Sequence, residues 1–145
     1  MEKKKKAKNY KEIKKKINKV EKPIVLGRDI RLNRKILENE KVNTLVLQHR
    51  PKGDKLKQRV SGLNEVLSKI AKENSITLAI SLEELKKVKG KEERARILAR
   101  MKQNIELIKK YKNEFRLMDY RNKKQAFSFL LTLGLPTSQA KKAIN

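Results

Sequence analysis

Five uncharged residues in a row, Ile76-Thr77-Leu78-Ala79-Ile80, stand in a chain where 39% of positions are charged. A strand wet on one face alternates apolar with polar side chains. This run does not, so both its faces have to be covered, as in a parallel α/β sheet. Ahead of it, Leu63, Val66, Leu67, Ile70 and Ala71 recur at i, i+3, i+4, i+7 and i+8, one face of a helix. Ser61 is its candidate N-cap, and Glu65 puts a carboxylate in the first turn, where the helix dipole favours it. Asn74 and Ser75 close the helix. Behind the run, Ser81-Leu82-Glu83-Glu84 reads as a capping box, with Ser81 as cap and Glu84 three residues on. Helix, covered strand, turn and helix make one unit of a β/α architecture.

The same pattern recurs on both sides. Ile24–Leu26 is a short apolar strand ended by Gly27. Asp29 caps a helix to about Asn39 whose buried side is Ile30, Leu32, Ile36 and Leu37. Val42 to Gln48 gives another strand, with Thr44–Leu47 as its core, about one β/α repeat after Ile24. Gly90 separates a short helix, Leu82–Val88, from a long one running from Lys91 to about Lys112. The long helix has a seam of Ile97, Leu98, Met101, Ile105, Ile108 and Tyr111, with Arg94, Arg96, Arg100, Lys102, Lys109 and Lys110 mostly off it. Phe115–Met118 is a fourth strand. Ala126, Phe127, Phe129, Leu130 and Leu133 form an apolar helix closed by Gly134, and Pro136 opens a last helix to Ile144. Residues 1–20 are set apart from the domain at 21–145. They carry ten lysines against Glu2 and Glu12. MEKKKKAKN reads as a disordered basic tail. Tyr10, Ile13, Ile17 and Val20 then mark a weak helix, either a solvated outer helix or an RNA-contacting arm.

Charge narrows the function. Forty Lys and Arg face sixteen Asp and Glu over 145 residues, a formal net charge of +24. Such a surface repels itself unless a polyanion neutralises it, and nucleic acid is the natural polyanion. No segment approaches the eighteen or so apolar residues of a membrane span, and the start has no apolar core of a secretory signal. The absence of cysteine excludes disulfides and thiolate metal sites, in keeping with a cytoplasmic location. Three Tyr and three Phe are too few for base stacking to dominate, so phosphate and shape contacts are expected. The single histidine, His49, has no cluster of further ligands evident around it, so neither a metal centre nor a catalytic base is expected there.

Basic residues gather where an α/β sheet places its ligands, at the carboxyl ends of strands. Arg28, Arg31 and Arg34 follow the first strand. Arg31 and Arg34 are three apart and share a helix face, and two guanidiniums side by side suit phosphate, although solvated surface arginines have the same spacing. Arg50 and Lys52 lie in His49-Arg50-Pro51-Lys52-Gly53-Asp54, the loop after the second strand. Lys123 and Lys124 lie in the basic loop after the fourth.

Several of these stretches resemble one family, the archaeal and eukaryotic ribonuclease P protein component 3. Its helix reads roughly G-[IL]-[DN]-x-V-L-x-K-[IL]-A before a strand ending in S-L, matched here by Gly62 to Ala71 and by Ser81-Leu82. Asp29, Arg31 and Arg34 match its D-[LI]-R-x-x-R segment. KEERARILARMKQNIELIKKYK is similar to its E-R-A-x-x-L-x-x-M…KY-K helix, and LGLPTSQAKKAI to its terminal segment. The likeness runs from about residue 21 to the C-terminus. Two places depart from it. Glu65 stands where the family often has His, and Lys123 and Gln125 stand where it has Pro and Asp.

The resemblance implies a TIM-barrel-like fold. A complete (β/α)₈ barrel takes about 250 residues, and four strands cannot close one, so the expected fold is α/β, a partial (half) TIM-like barrel of four or so parallel strands with flanking helices. Its flanking strands would leave N–H and C=O groups unpaired and one sheet face partly bare. Another chain or the RNA is expected to cover that face, and the isolated protein to be marginal, dimeric or aggregation-prone. The implied function is that of an RNA-binding accessory subunit of ribonuclease P, with the RNA subunit and its Mg²⁺ removing the 5′ leader from precursor tRNA. No catalytic residue and no cofactor of its own are expected on the chain. Implied partners are the ribonuclease P RNA, precursor tRNA, a small α/β protein subunit and further ribonuclease P proteins, with no membrane. The resemblance also implies RNA contact by Arg31 and Arg34. Two rivals remain: a generic basic RNA-binding protein of the ribosome or its assembly, and a metal-dependent phosphoesterase, which would need several His and carboxylate ligands.

Overall fold

The computed structural model describes residues 9–49 and 61–145. In chain order the elements are α1 (Tyr10–Ile17), β1 (Ile24–Leu26), α2 (Ile30–Leu37), β2 (Thr44–Leu47), α3 (Glu65–Glu73), β3 (Thr77–Ser81), α4 (Glu83–Lys87), α5 (Lys91–Tyr111), β4 (Phe115–Met118), α6 (Lys123–Thr132) and α7 (Thr137–Ala143). The strands form one parallel sheet in the order β1-β2-β3-β4. Strand order that follows the chain without turning back is the winding of a barrel. A doubly wound sheet reverses at a switch point. The expected α/β half-barrel, with four parallel strands and flanking helices, is what forms.

Register assigns every strand residue to a face, because side chains alternate and parallel partners share a side. Val25, Leu45, Leu78 and Phe115 are in register, as are Leu47, Ile80 and Leu117. All seven belong to the continuous apolar core, along with Ile36, Leu37, Leu67, Ile97, Met101, Ile105 and Ile108 from the helices. The other side carries Ile24, Thr44 and Thr77 in one row and Leu26, Val46, Ala79 and Arg116 in the next. Val46 and Ala79 are buried yet outside that core cluster. The uncharged run at β3 therefore has both faces covered, as its composition demanded. The strand itself begins one residue later than the run and takes in Ser81.

Local signals succeeded where the competing partners were also local. Asp29 caps α2, its Oδ1 accepting from the Leu32 N–H at 2.8 Å. Gly134, at φ +107, ends α6, with the Leu135 N–H returning to the Leu130 carbonyl. Two expected caps are replaced. Asn64, not Ser61, caps α3, accepting from the Leu67 N–H at 2.8 Å. Ser61 is buried, and its hydroxyl accepts instead from Gln103 Nε2 at 2.9 Å. The capping box at Ser81 does not close. The Ser81 hydroxyl donates to Asp119 and accepts from the Glu83 N–H, while Glu84 turns away to His49.

Arg100 is a further correction. Placed off the α5 seam by its charge, it is only 4% exposed, beside the His49 carbonyl at 3.5 Å. The N-terminal helix α1 packs Ile13 and Ile17 into the common core, and its Tyr10 hydroxyl accepts from Asn39 Nδ2 at 3.1 Å. Lys11, Lys14, Lys15 and Lys16 remain on its exposed side.

Candidate nucleic-acid interface

The turn after β1 is the best-defined part of the basic rim. Gly27 leaves the strand where there is no room for a side chain: a Cβ would sit 2.6 Å from Asn33 Oδ1 and 3.0 Å from the Val46 carbonyl. Asn33, fully buried on the apolar side of α2, binds this turn. Its Oδ1 accepts from the Arg28 N–H at 2.8 Å, and its Nδ2 donates to the Gly62 carbonyl at 2.8 Å. Gly62 meets it with φ +79, a left-handed conformation that suits glycine. Gln48 Nε2 donates to the Gly27 carbonyl at 2.7 Å. Arg28 is thus held at the carboxyl end of β1 by its backbone, with its side chain exposed. Arg31 and Arg34 are exposed on α2 just beyond. Arg34 is engaged with Glu38, Nε to Oε2 at 3.2 Å, an exposed i,i+4 pair. Such a pair contributes about 0.3–0.5 kcal/mol and yields readily to a phosphate.

On the opposite margin, Lys123 and Lys124 open α6, behind an Asn122 cap that accepts from the Gln125 N–H at 3.0 Å. The first turn of α6 has no acidic residue. Two cations at the positive end of a helix dipole are unfavourable to the isolated chain, and an anion placed there meets both the ammonium groups and the free N–H groups. β1 and β4 are the sheet margins, three strand spacings of about 4.8 Å apart, and each basic group follows one of them in the chain. The fold gathers Arg28 and Arg31 on one flank and Lys123 and Lys124 on the other. Arg50 and Lys52 lie outside the described residues.

Two carboxylates of this rim, Glu84 and Asp119, are occupied by neighbours. Glu84 receives both the His49 N–H, at 2.6 Å, and His49 Nδ1, at 2.8 Å. His49 Nε2 accepts from Asn104 Nδ2 at 2.9 Å, which also reaches the Ser61 carbonyl at 3.0 Å. This arrangement assigns the Nδ1–H tautomer and uses both ring nitrogens of a fully buried imidazole. His49 is therefore a staple joining the end of β2 to α4 and α5. Asp119, at φ +63, is tied to Ser81 through its side chain and to Lys86 Nζ through its carbonyl, at 3.0 Å. Among the described residues no group of three or more His, Asp or Glu converges.

Glu65, at the family's His position, is exposed in the first turn of α3. Its carboxylate accepts from the Tyr111 hydroxyl at 2.5 Å, with Lys110 Nζ at 3.7 Å. The Tyr111 bond first, and the Lys110 charge second, hold the Glu65 carboxyl below the usual range, and the same bond raises the Tyr111 phenol. Glu65 is thus a carboxylate already paired within the protein.

Sequence reasoning missed Asn33, Gln48 and Asn104, the side chains that hold the rim. The readable signal was an amide on an apolar helix face: Asn33 among Leu32, Ile36 and Leu37, and Asn104 among Met101, Ile105 and Ile108.

Fold and rim together define a parallel β/α protein of barrel winding with exposed cations at its strand ends. No protein-family model matches the chain. Ribonuclease P protein component 3 of Methanosarcina mazei is 34% identical over 129 residues, covering 84% of this chain and 51% of the relative. That of Methanococcus vannielii is 34% identical over 99 residues, covering 68% and 40%. A chain of the cryo-EM structure of archaeal ribonuclease P with mature tRNA superposes with a TM-score of 0.71 at 26% identity, covering 92% of this chain and 58% of that one. The chain is a homologue of ribonuclease P protein component 3, and it spans about half the length of the curated relatives it matches. The resemblance read from residues 62–82, 29–34, 91–112 and 133–144 is borne out.

Proposed function

We propose that this chain is an RNA-binding accessory subunit of ribonuclease P, supporting removal of the 5′ leader from precursor tRNA. The observation that carries the reading is the homology to component 3 over 84% of the chain, on a protein of net charge +24. Hydrolysis belongs to the RNA subunit and its Mg²⁺, which activates water and stabilises the leaving oxygen. The residues of this chain neutralise phosphates. Arg28, Arg31 and Arg34 supply guanidinium forks on one flank, and Lys123 and Lys124 supply point charges at a helix N-terminus on the other. Arg50 and Lys52 extend the same set. Charge neutralisation by protein reduces the cation concentration that the RNA needs to fold and to hold its substrate. A small α/β ribonuclease P protein is the proposed protein partner, and the cytoplasm the proposed location.

Reconstitution tests this. The chain is combined with ribonuclease P RNA and the small α/β subunit, and precursor-tRNA cleavage is followed at limiting Mg²⁺. The wild type is expected to lower the Mg²⁺ requirement, and Arg31→Ala/Arg34→Ala to lose most of that effect. Equal stimulation by both proteins would remove the arginine pair from the interface. Salt-sensitive RNA binding without any effect on cleavage would favour a general RNA-binding protein instead.

A further inference from the structure

The sheet has two unlike faces, and one of them is unfinished at its β1 margin. Ile24 and Leu26 point to the side away from the helical core and are 58% and 55% exposed, whereas Val25 between them is buried at 8%. Val20, just ahead of the strand, is also exposed, at 56%. Their neighbours in register, Thr44 and Val46, are buried, so the bare surface is a margin and not the whole face. Among the described residues β1 pairs with β2 alone, which leaves its outer edge of N–H and C=O groups open to another strand. Farther along this face lies a half-open hollow of about 370 Å³, lined by Ile24, Thr44, Arg116, Met118, Asp119 and Tyr120 among others. Arg116 shares the row of Leu26, Val46 and Ala79 and is exposed.

We infer that this face and the β1 edge are the docking surface for a further β/α segment, which lays an apolar strand parallel to β1 and presents a carboxylate to Arg116. Three observations favour that occupant. Apolar side chains at alternate positions of an open edge fit an added strand, which takes up main-chain hydrogen bonds and side-chain contacts together. RNA offers Ile24, Leu26 and Val20 little, since its backbone is charged. A second copy would bring another +24 and another Arg116 to the same place, and Asp119, the carboxylate that lines the hollow, is already bonded to Ser81. The homologues supply the measure of what is received. The matched relatives and the solved ribonuclease P chain are nearly twice as long as the stretch they share with this one. Polypeptide of that amount can complete a ring of strands begun in barrel order.

The test contains no RNA, so its failure is separate from failure of the ribonuclease P reading. The full 145-residue chain, tagged, is co-expressed with the part of the Methanosarcina mazei relative that lies outside its matched 129 residues. The purified material is weighed by light scattering. A one-to-one complex is expected. Ile24→Lys/Leu26→Lys is expected to weaken it at least tenfold, and Arg116→Glu to weaken it less. Val66→Lys, at an exposed apolar site on α3, is expected to leave it unchanged. Circular dichroism melts of the lone variants should match wild type, because the altered side chains are exposed. As a second readout, Leu26→Cys in this cysteine-free chain should react with a maleimide when alone and be protected in the complex. A chain that is dimeric by itself, with Leu26→Cys already protected, would make a second copy the occupant. Absence of a complex with Leu26→Cys reactive throughout would overturn the proposal.

Discussion

The helix-covered face of the sheet and its opposite face differ in what finishes them. On the covered face, seven strand side chains from Val25 to Leu117 lock into helices α2, α3 and α5, and nothing outside the chain is needed. On the other face, only the centre is sealed. Its β1 margin shows Ile24 and Leu26, and its β4 margin shows an arginine. The lesson is that stability and function are divided between the faces. The covered side gives the fold, and the open side and the carboxyl-end rim are left for partners.

The sharpest way to break that comparison is a pair of truncations on adjacent, registered strands. Leu45→Ala, at a fully buried site on the helix-covered face, is expected to cost about 2–5 kcal/mol in urea unfolding. Leu26→Ala, on the open margin, should stay within about 0.5 kcal/mol of wild type. Equal losses would mean that the open margin is packed in solution. Next in size is Asn33→Ala, which strands the Arg28 N–H and the Gly62 carbonyl. A loss of about 1–3 kcal/mol is expected, together with weaker RNA binding, because the turn carrying Arg28 is no longer fixed. His49→Ala should cost a similar amount by releasing the Glu84 carboxylate and the Asn104 amide. If neither stability nor binding responds, the buried polar ties do not position the rim.

The smallest effect expected is the titration of the exposed Glu65–Tyr111 pair. Glu65 is depressed in the folded chain, so its contribution is present above the ordinary Glu range and is lost as pH falls through its folded pKa. Tyr111 is raised, so its contribution is present below the ordinary Tyr range and is lost as pH rises through its folded pKa. In Tyr111→Phe, the Glu65 midpoint followed by carboxyl NMR should move up. An unchanged midpoint would leave Lys110 as the main cause.

Elements built from local rules were readable in advance: the four strands, the Asp29 cap, the Gly134 stop and most of the α5 seam. Contacts between distant residues were not. His49 and Asn104 are 55 positions apart, and Glu84 had two equally good uses. A capping box is a short-range prize, and the buried imidazole 35 positions away outcompeted it because an unpaired buried histidine is costly. Ser61 lost its cap for the same reason, to Gln103. The rim cations were visible as charge, but the amides that hold them were invisible until the helices were placed.

Amide hydrogen exchange on the isolated chain tests the central contrast most directly. Strands β2 and β3, paired on both sides, should protect Leu45, Val46, Leu78 and Ala79 to near the global stability, while Ile24–Leu26 of β1 exchange orders of magnitude faster. Equal protection of all four strands in the monomer would contradict the account, since the β1 margin would then need no partner.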